Sequence, residues 1–385
     1  MVISESVPSF SLNQDRSFNG IPSVSITFPD GYTDTMKLSR YYSNENDRLA
    51  QTERCHFFGH LEGEPEACIA LTGCPGSDDL EFTIMSEHSP DTMFMWNKNG
   101  EVQIIESQAR GTYLRRDQEY QNGTWANVEE DEMVNPAIKK AESEIEKNCD
   151  DVGCEPLPET MLLSLRFGYD EGFLSRLWLH ARAKEYIHAT MPHIQALYCH
   201  SSLGTKIQLE IVGEIKHYAG KYLQATPAKM AEMKPITKTD LGDADLMVYM
   251  GNDWENRGFA GYAYYSAVCL PRDEIKSSII EYGTSIADRG HLIAHEIGHN
   301  LGMFHDHDPQ HKVKGCDKTG VMSYGPRKYK WSTCSKSDFQ AHYIYAKGKN
   351  AELGKNELWC MPRKCSMILI ENFNLLNFSP IKSCT

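Results

Sequence analysis

Two periodicities divide the chain. Up to about residue 125, apolar and polar residues alternate in short runs, such as Ser23-Val24-Ser25-Ile26-Thr27-Phe28 and Val102-Gln103-Ile104-Ile105. That period of two belongs to strands with one buried face. Turn residues punctuate the runs: Pro29-Asp30-Gly31, and Lys98-Asn99-Gly100-Glu101, which predicts a hairpin. Beyond residue 160 the pattern changes to strand-length runs separated by helical spacing. Met161–Phe167, 206–215, 245–250 and the glycine-bearing stretch 258–268 read as strands. Phe173, Leu174, Leu177, Trp178, Ala181 and Tyr186 recur at helical intervals over 171–198, a helix that Pro192 is expected to bend or restart. A long helix is expected over 283–303 and a last one over 336–347. Strands alternating with helices predict an α/β (α+β) domain with a mixed, mostly parallel sheet.

Between the two patterns lies a charged stretch, 128–160, ending in Pro156 and Pro158. It reads as a linker at 128–155 carrying a short helix around 136–147. The expected organisation is therefore a β-rich domain over 1–155, an α/β domain over 156–365, and a tail, 366–385, to which the pattern assigns no role.

Composition narrows the function classes. With 385 residues, 41% hydrophobic and 24% charged, the chain can bury the cores of two domains. A net charge of −14 repels phosphate backbones and anionic lipid, so no nucleic-acid partner is expected. No run of eighteen apolar residues occurs, so no membrane span is expected. Twelve cysteines without paired C-x-x-C knuckles point to disulfides, an oxidising compartment and a secreted protein. Five precede residue 155 and seven follow it. Either one bridge crosses that division or each half keeps a free thiol. Asn122-Gly123-Thr124 is a glycosylation sequon, and Asn377-Phe378-Ser379 a poorer one because Pro380 follows. Met1–Phe10 has neither a basic nor an apolar stretch and does not read as a signal peptide, so the expectation is that the sequence begins downstream of its natural start, the alternative being unconventional export.

The chemistry concentrates in His291-Leu-Ile-Ala-His295-Glu296-Ile-Gly-His299-Asn-Leu-Gly302-Met-Phe-His305-Asp306. On a helix His295 and His299 stand one turn apart on one face, so both imidazoles reach one ion. Glu296 stands beside the open coordination position. Gly302 lets the chain leave the helix sharply and return His305 as a third ligand. Three neutral imidazoles leave one tetrahedral position for water, the mark of a catalytic zinc site. His291, His307 and His311 are read as surface or supporting residues.

This long motif resembles the metzincin signature, and Asp306 after the third histidine resembles the adamalysin/reprolysin (ADAM-like, M12B) branch. The resemblance implies a twisted, mostly parallel sheet and a long active-site helix. It implies that Val321-Met322-Ser323-Tyr324 is the Met-turn beneath the zinc. In astacins and serralysins a Tyr two residues after that Met binds zinc; the adamalysin spacing argues against this for Tyr324. Gly258–Cys269 is similar to the family's edge strand, along which an extended peptide substrate pairs. By the same likeness Cys269 pairs with Cys360, and Cys316 with Cys334. Cys55–Cys74 is similar to the core of a reprolysin-type prodomain, so the chain's own front half is an expected inhibitor. Cys149 or Cys154 would hold latency as a thiolate on zinc, or form a plain disulfide. No clear Arg-x-x-Arg site separates the halves; Arg115-Arg116 and Lys139-Lys140 are the nearest dibasic pairs. The family admits calcium too, for which Asp245 is the candidate ligand.

The expected function is that of a secreted zinc metalloendopeptidase acting on extracellular proteins, with Glu296 as general base. The alternative is a non-catalytic or permanently latent secreted binding protein or toxin component on the same metzincin scaffold.

Overall fold

The computed structural model describes residues 9–13, 23–28, 31–43, 55–73, 79–86, 88, 92–97, 102–104, 132–133, 136–152, 155–252, 261–283, 285–306, 316, 320–323 and 330–352. The front half is one meander: β1 (Ser9–Asn13), β2 (Ser23–Thr27), β3 (Thr33–Arg40), β4 (His56–Leu61), β5 (Cys68–Thr72), β6 (Asp79–Met85), β7 (Thr92–Asn97) and β8 (Val102–Ile104). Each strand pairs antiparallel with the next. Strands β7 and β8 pair across 98–101, as the Asn-Gly signal predicts. Alternation along β5 sends Ile69 and Leu71 into a cluster with Val24, Phe57 and Phe82. The intervening Cys68 and Ala70 face the other way, into the core of the back half.

That back half holds the second sheet: β9 (Glu132–Met133), β10 (Thr160–Asp170), β11 (Lys206–Ile211), β12 (Lys216–Tyr218), β13 (Leu246–Gly251), β14 (Gly261–Tyr264) and β15 (Ser277–Glu281). The order is β11-β10-β13-β15-β14-β9, with β12 also on β10. The first four are parallel, β14 runs antiparallel to β15, and β9 is parallel to β14. Among the described residues the α-helices are α1 (Pro136–Val152), α2 (Glu171–Leu177), α3 (His180–Cys199), α4 (Pro227–Asp240), α5 (Ile286–Asn300) and α6 (Thr333–Glu352). Helix α3 is buried almost continuously from Tyr186 to Tyr198, because the front sheet covers one side and α5 the other.

Some expectations are corrected. The helix expected over 171–198 is two helices, broken at Trp178, which takes a left-handed conformation (φ 64°). Pro192 lies inside α3 and does not restart it. The stretch read as a linker is largely helical: α1 packs along α6. Its Glu142 is buried, accepting from Tyr265 Oη at 2.8 Å and from Ser266 Oγ, and lying 2.9 Å from His342 Nδ1. Helix α4, capped by Thr226 with Pro227 in its first turn, and strand β15 had no counterpart in the pattern reading.

Cys316 and Cys334 are bonded, with Cα atoms 5.9 Å apart. A second bridge joins Cys68 to Cys199 and crosses the division between the halves. Cys269 is also in a disulfide, while Cys360, its expected partner, lies outside the described residues. So do Asn122, Asn377 and the tail 366–385.

Candidate metal centre

Helix α5 presents the motif. Ser285 caps its start, Oγ accepting from Asp288 N at 3.1 Å. Glu81, from β6 of the front sheet, adds a carboxylate there: its Oε2 accepts from Ser285 Oγ at 2.8 Å and Ala287 N at 2.7 Å. Burial raises the Glu81 pKa, against the hydrogen bonds that lower it. At the other end α5 stops through Gly302, at φ 85°. Gly302 N bonds His299 O, and Met303 N bonds Gly298 O at 2.9 Å. A side chain at 302 would strike His342 Cβ at 2.6 Å. Glycine is thus required twice, for the reversal and for the space.

The reversal returns His305 to His295 and His299. Nε2 of His305 lies 3.3 Å from that of His295 and 3.1 Å from that of His299. Among the described residues these three form the one group of His, Cys, Asp and Glu able to hold a metal ion. Their opposite faces fix the tautomers: His295 Nδ1 donates to Val321 O and His299 Nδ1 to Met303 O, each at 2.9 Å. With Nδ1 protonated, Nε2 of each ring carries a lone pair toward the centre. Such nitrogens, packed this close and all but excluded from solvent, repel one another unless a cation lies among them. The donor set therefore fits zinc.

Met322 packs beneath: a side chain at Gly298 would meet its Sδ at 2.5 Å. Met322 O accepts from Asp306 N at 3.0 Å, and Asp306 is buried. Asp306 Oδ2 accepts from Ser323 Oγ at 2.7 Å, and Oδ1 accepts from Ser332 Oγ and, at 3.2 Å, Ser335 Oγ. Asp306 thus ties the third histidine to the Met322 turn and to the start of α6.

Glu296 is 1% exposed and lies against β14, where a Cβ at Gly261 would fall 2.6 Å from its Cδ. The strand expected to receive a substrate is thereby set beside the carboxylate. Its outer edge is occupied by the chain itself: Ala263 pairs with Glu132 and Tyr264 with Met133 of β9. Three residues of this neighbourhood had no assigned role in the pattern reading: Glu81, Gly261 and Asp306. The last was legible only as a branch marker.

Other expectations fare differently. Cys149 is disulfide-bonded, so it offers no thiolate to a metal; Cys154 lies outside the described residues. Asp245 Oδ2 accepts from Ser164 N and Oγ at 2.8 and 2.7 Å, a clasp between loop and strand. His291 is buried in α5, not at the surface, and stands apart from the three converging rings. His307, His311, Tyr324 and 325–329 are outside the described residues. Among the described residues no helix is long and apolar enough to cross a membrane.

A model of the metallo-peptidase family M12B, reprolysin-like, matches residues 184–306, from α3 through the third histidine. The chain is similar to the snake venom metalloproteinase trimerelysin-2 of Protobothrops flavoviridis, at 34% identity over 22% of this chain and 41% of that protein. It is similar to the snake venom metalloproteinase TM-1 of Protobothrops mucrosquamatus, at 23% identity over 40% of this chain and 76% of that protein. Less than half of the first relative's length is thus spanned. A solved structure, metalloproteinase-II from Bacteroides fragilis, aligns with 88% of this chain and 92% of its own, at 12% identity and a TM-score of 0.39, too weak a likeness to add weight. The matched segment contains most of α3 and all of α5 and ends on Asp306, next to the third histidine. Over residues 184–306 this chain is similar to the reprolysin-like metallopeptidases of family M12B.

Proposed function

We propose that the protein is a secreted zinc metalloendopeptidase, and that the conformation described here is its closed, latent form. The observation that carries the reading is the convergence of the His295, His299 and His305 Nε2 atoms on the helix that sets Glu296 against β14. His295, His299 and His305 would hold one zinc ion. When bound, zinc supplies Lewis acidity toward a peptide carbonyl and makes water a better acid.

The chain's residues supply the rest. Glu296, in a site that excludes solvent, takes the proton from the attacking water and returns it to the departing amine. Its carboxylate is steered by Gly261, whose lack of a side chain leaves room for it. The backbone of β14 offers an extended peptide a ladder independent of its side chains, which aligns the scissile bond with Glu296. Domain limits near 155 and 365 fit this reading, with the front half as the latency element. Strand β9 takes the ladder positions a substrate needs, and all four site residues are closed to solvent.

Twelve cysteines support an extracellular setting, and the backbone ladder of β14 supports protein substrates. The test is casein cleavage after limited proteolysis, with chelation and zinc add-back. Glu296→Ala is expected to retain zinc and lose activity by several orders of magnitude, from about 10² for the proton transfer alone upward. Turnover near that of the wild type would refute the role. Full zinc binding with no cleavage by any processed form of the wild type would favour a non-catalytic binding protein.

A further inference from the structure

We infer that the front sheet, β1 to β8, is a permanent and covalently held part of the working enzyme, and that an activating cut frees only the short strand lying on the substrate edge. The inference rests on the protease reading and concerns what is released when the site opens.

The tether is the Cys68–Cys199 bridge, which joins β5 to the C-terminal end of α3 across 131 residues of chain. A cut anywhere between β8 and β10 therefore yields two chains that stay bonded. The non-covalent join is equally unlike a detachable inhibitor. Phe58, Ala70 and Met85 of the front sheet share one core with Ile187, Met191 and Ile194 of α3. The His193 ring is enclosed between two front-sheet hydroxyls, Nδ1 2.8 Å from Thr83 Oγ1 and Nε2 2.9 Å from Thr72 Oγ1. Losing the front sheet would bare this surface on the side of α3 opposite the motif helix.

The front sheet also reaches that helix directly. Glu81 caps the start of α5, giving the helix that bears His295, Glu296 and His299 part of its N-terminal support. Against this, among the described residues β9 holds the substrate edge through two residue pairs. The parts thus differ in kind. A two-residue ladder is displaceable by a substrate strand, whereas a disulfide, a shared core and a helix cap are not.

The test is limited trypsin digestion of the full chain, which offers Arg115-Arg116 between β8 and β9, followed by electrophoresis with and without reductant and by casein assay. The expected result is one unreduced species of full mass that cleaves casein and separates into two fragments only on reduction. Peptide mapping of the unreduced digest should recover a pair joined through Cys68 and Cys199. A front fragment that leaves without reductant, or activity confined to protein that has lost it, overturns the inference. A tethered, nicked protein that binds zinc yet cleaves nothing counts against the protease reading and leaves the tether standing. A second variant separates support from mere attachment: Glu81→Ala should release zinc to a competing chelator several-fold faster with the bridge intact, and an unchanged release rate overturns the supporting role.

Discussion

Asp306 is the residue whose importance exceeds its visibility. Three serine hydroxyls converge on its buried carboxylate, and its backbone N–H donates to Met322 O. Removing it strands those hydroxyls without an acceptor, at about 1–3 kcal/mol for each group left unsatisfied. Asp306→Ala is therefore expected to lower the melting temperature by at least several degrees and to weaken zinc binding through a displaced His305; calorimetry with and without metal reads both. His193 makes a prediction of a different kind. Burial, with a smaller push from His56, lowers its pKa from 6.5 to about 3. The unfolded chain then takes up a proton that the folded chain refuses. This ring's share of stability is full above pH 6.5 and falls by about 1.4 kcal/mol per pH unit as pH drops toward 3. Buried Glu81, whose pKa is raised, has the opposite sign, so the two must be separated by mutation. Melting temperature against pH for wild type and His193→Asn should show a shallower acid decline in the variant; parallel curves would contradict the assignment.

At the scale of elements, α1 and the turn after α5 carry the consequences. Glu142 bonds Tyr265, Ser266 and His342, and His342 in turn bonds Val268 O at 2.9 Å. Helix α1 thereby grips the segment leaving β14 and, through His342, the space beneath Gly302. Leaving these buried partners without their acceptor costs about 1–3 kcal/mol for each group left unsatisfied. Glu142→Ala should speed amide exchange across 136–152 and raise the casein activity of the uncut chain, since β9 is the next element upstream. Unchanged exchange would show that α1 is held otherwise. Gly302→Ala should cost about 1–2 kcal/mol for the left-handed backbone, with the His342 clash in addition, and should lower zinc affinity.

The motif helix, the glycine reversal and the third histidine were legible because each is local: offsets of four, three and three residues fix them. The sheet's parallel character was legible from strand–helix alternation. What escaped was non-local or locally ambiguous. Met230, Met233 and Thr237 are the buried stripe of α4, too sparse to mark a helix interrupted by Pro235. Glu81 lies more than two hundred residues from the helix start it caps. No pattern within β6 distinguishes it from an ordinary strand carboxylate. The break at Trp178 depends on a left-handed residue that only Gly or Asn would have advertised.

For the whole molecule, the two sheets share α3 as a common wall, so the halves that differ in periodicity are not separate in structure. The odd cysteine counts in each half already required a crossing bridge or two free thiols; the Cys68–Cys199 bond supplies the crossing. One assembly then contains a buried histidine triad, a carboxylate set against an edge strand, and a strand of its own on that edge. The central claim is that this triad is a metal site, and elemental analysis of the purified chain tests it most directly. The account predicts one zinc per chain, retained through dialysis, falling close to zero in His299→Ala while the variant keeps its disulfides. A wild-type protein with no stoichiometric zinc, even after equilibration with the ion, would contradict it.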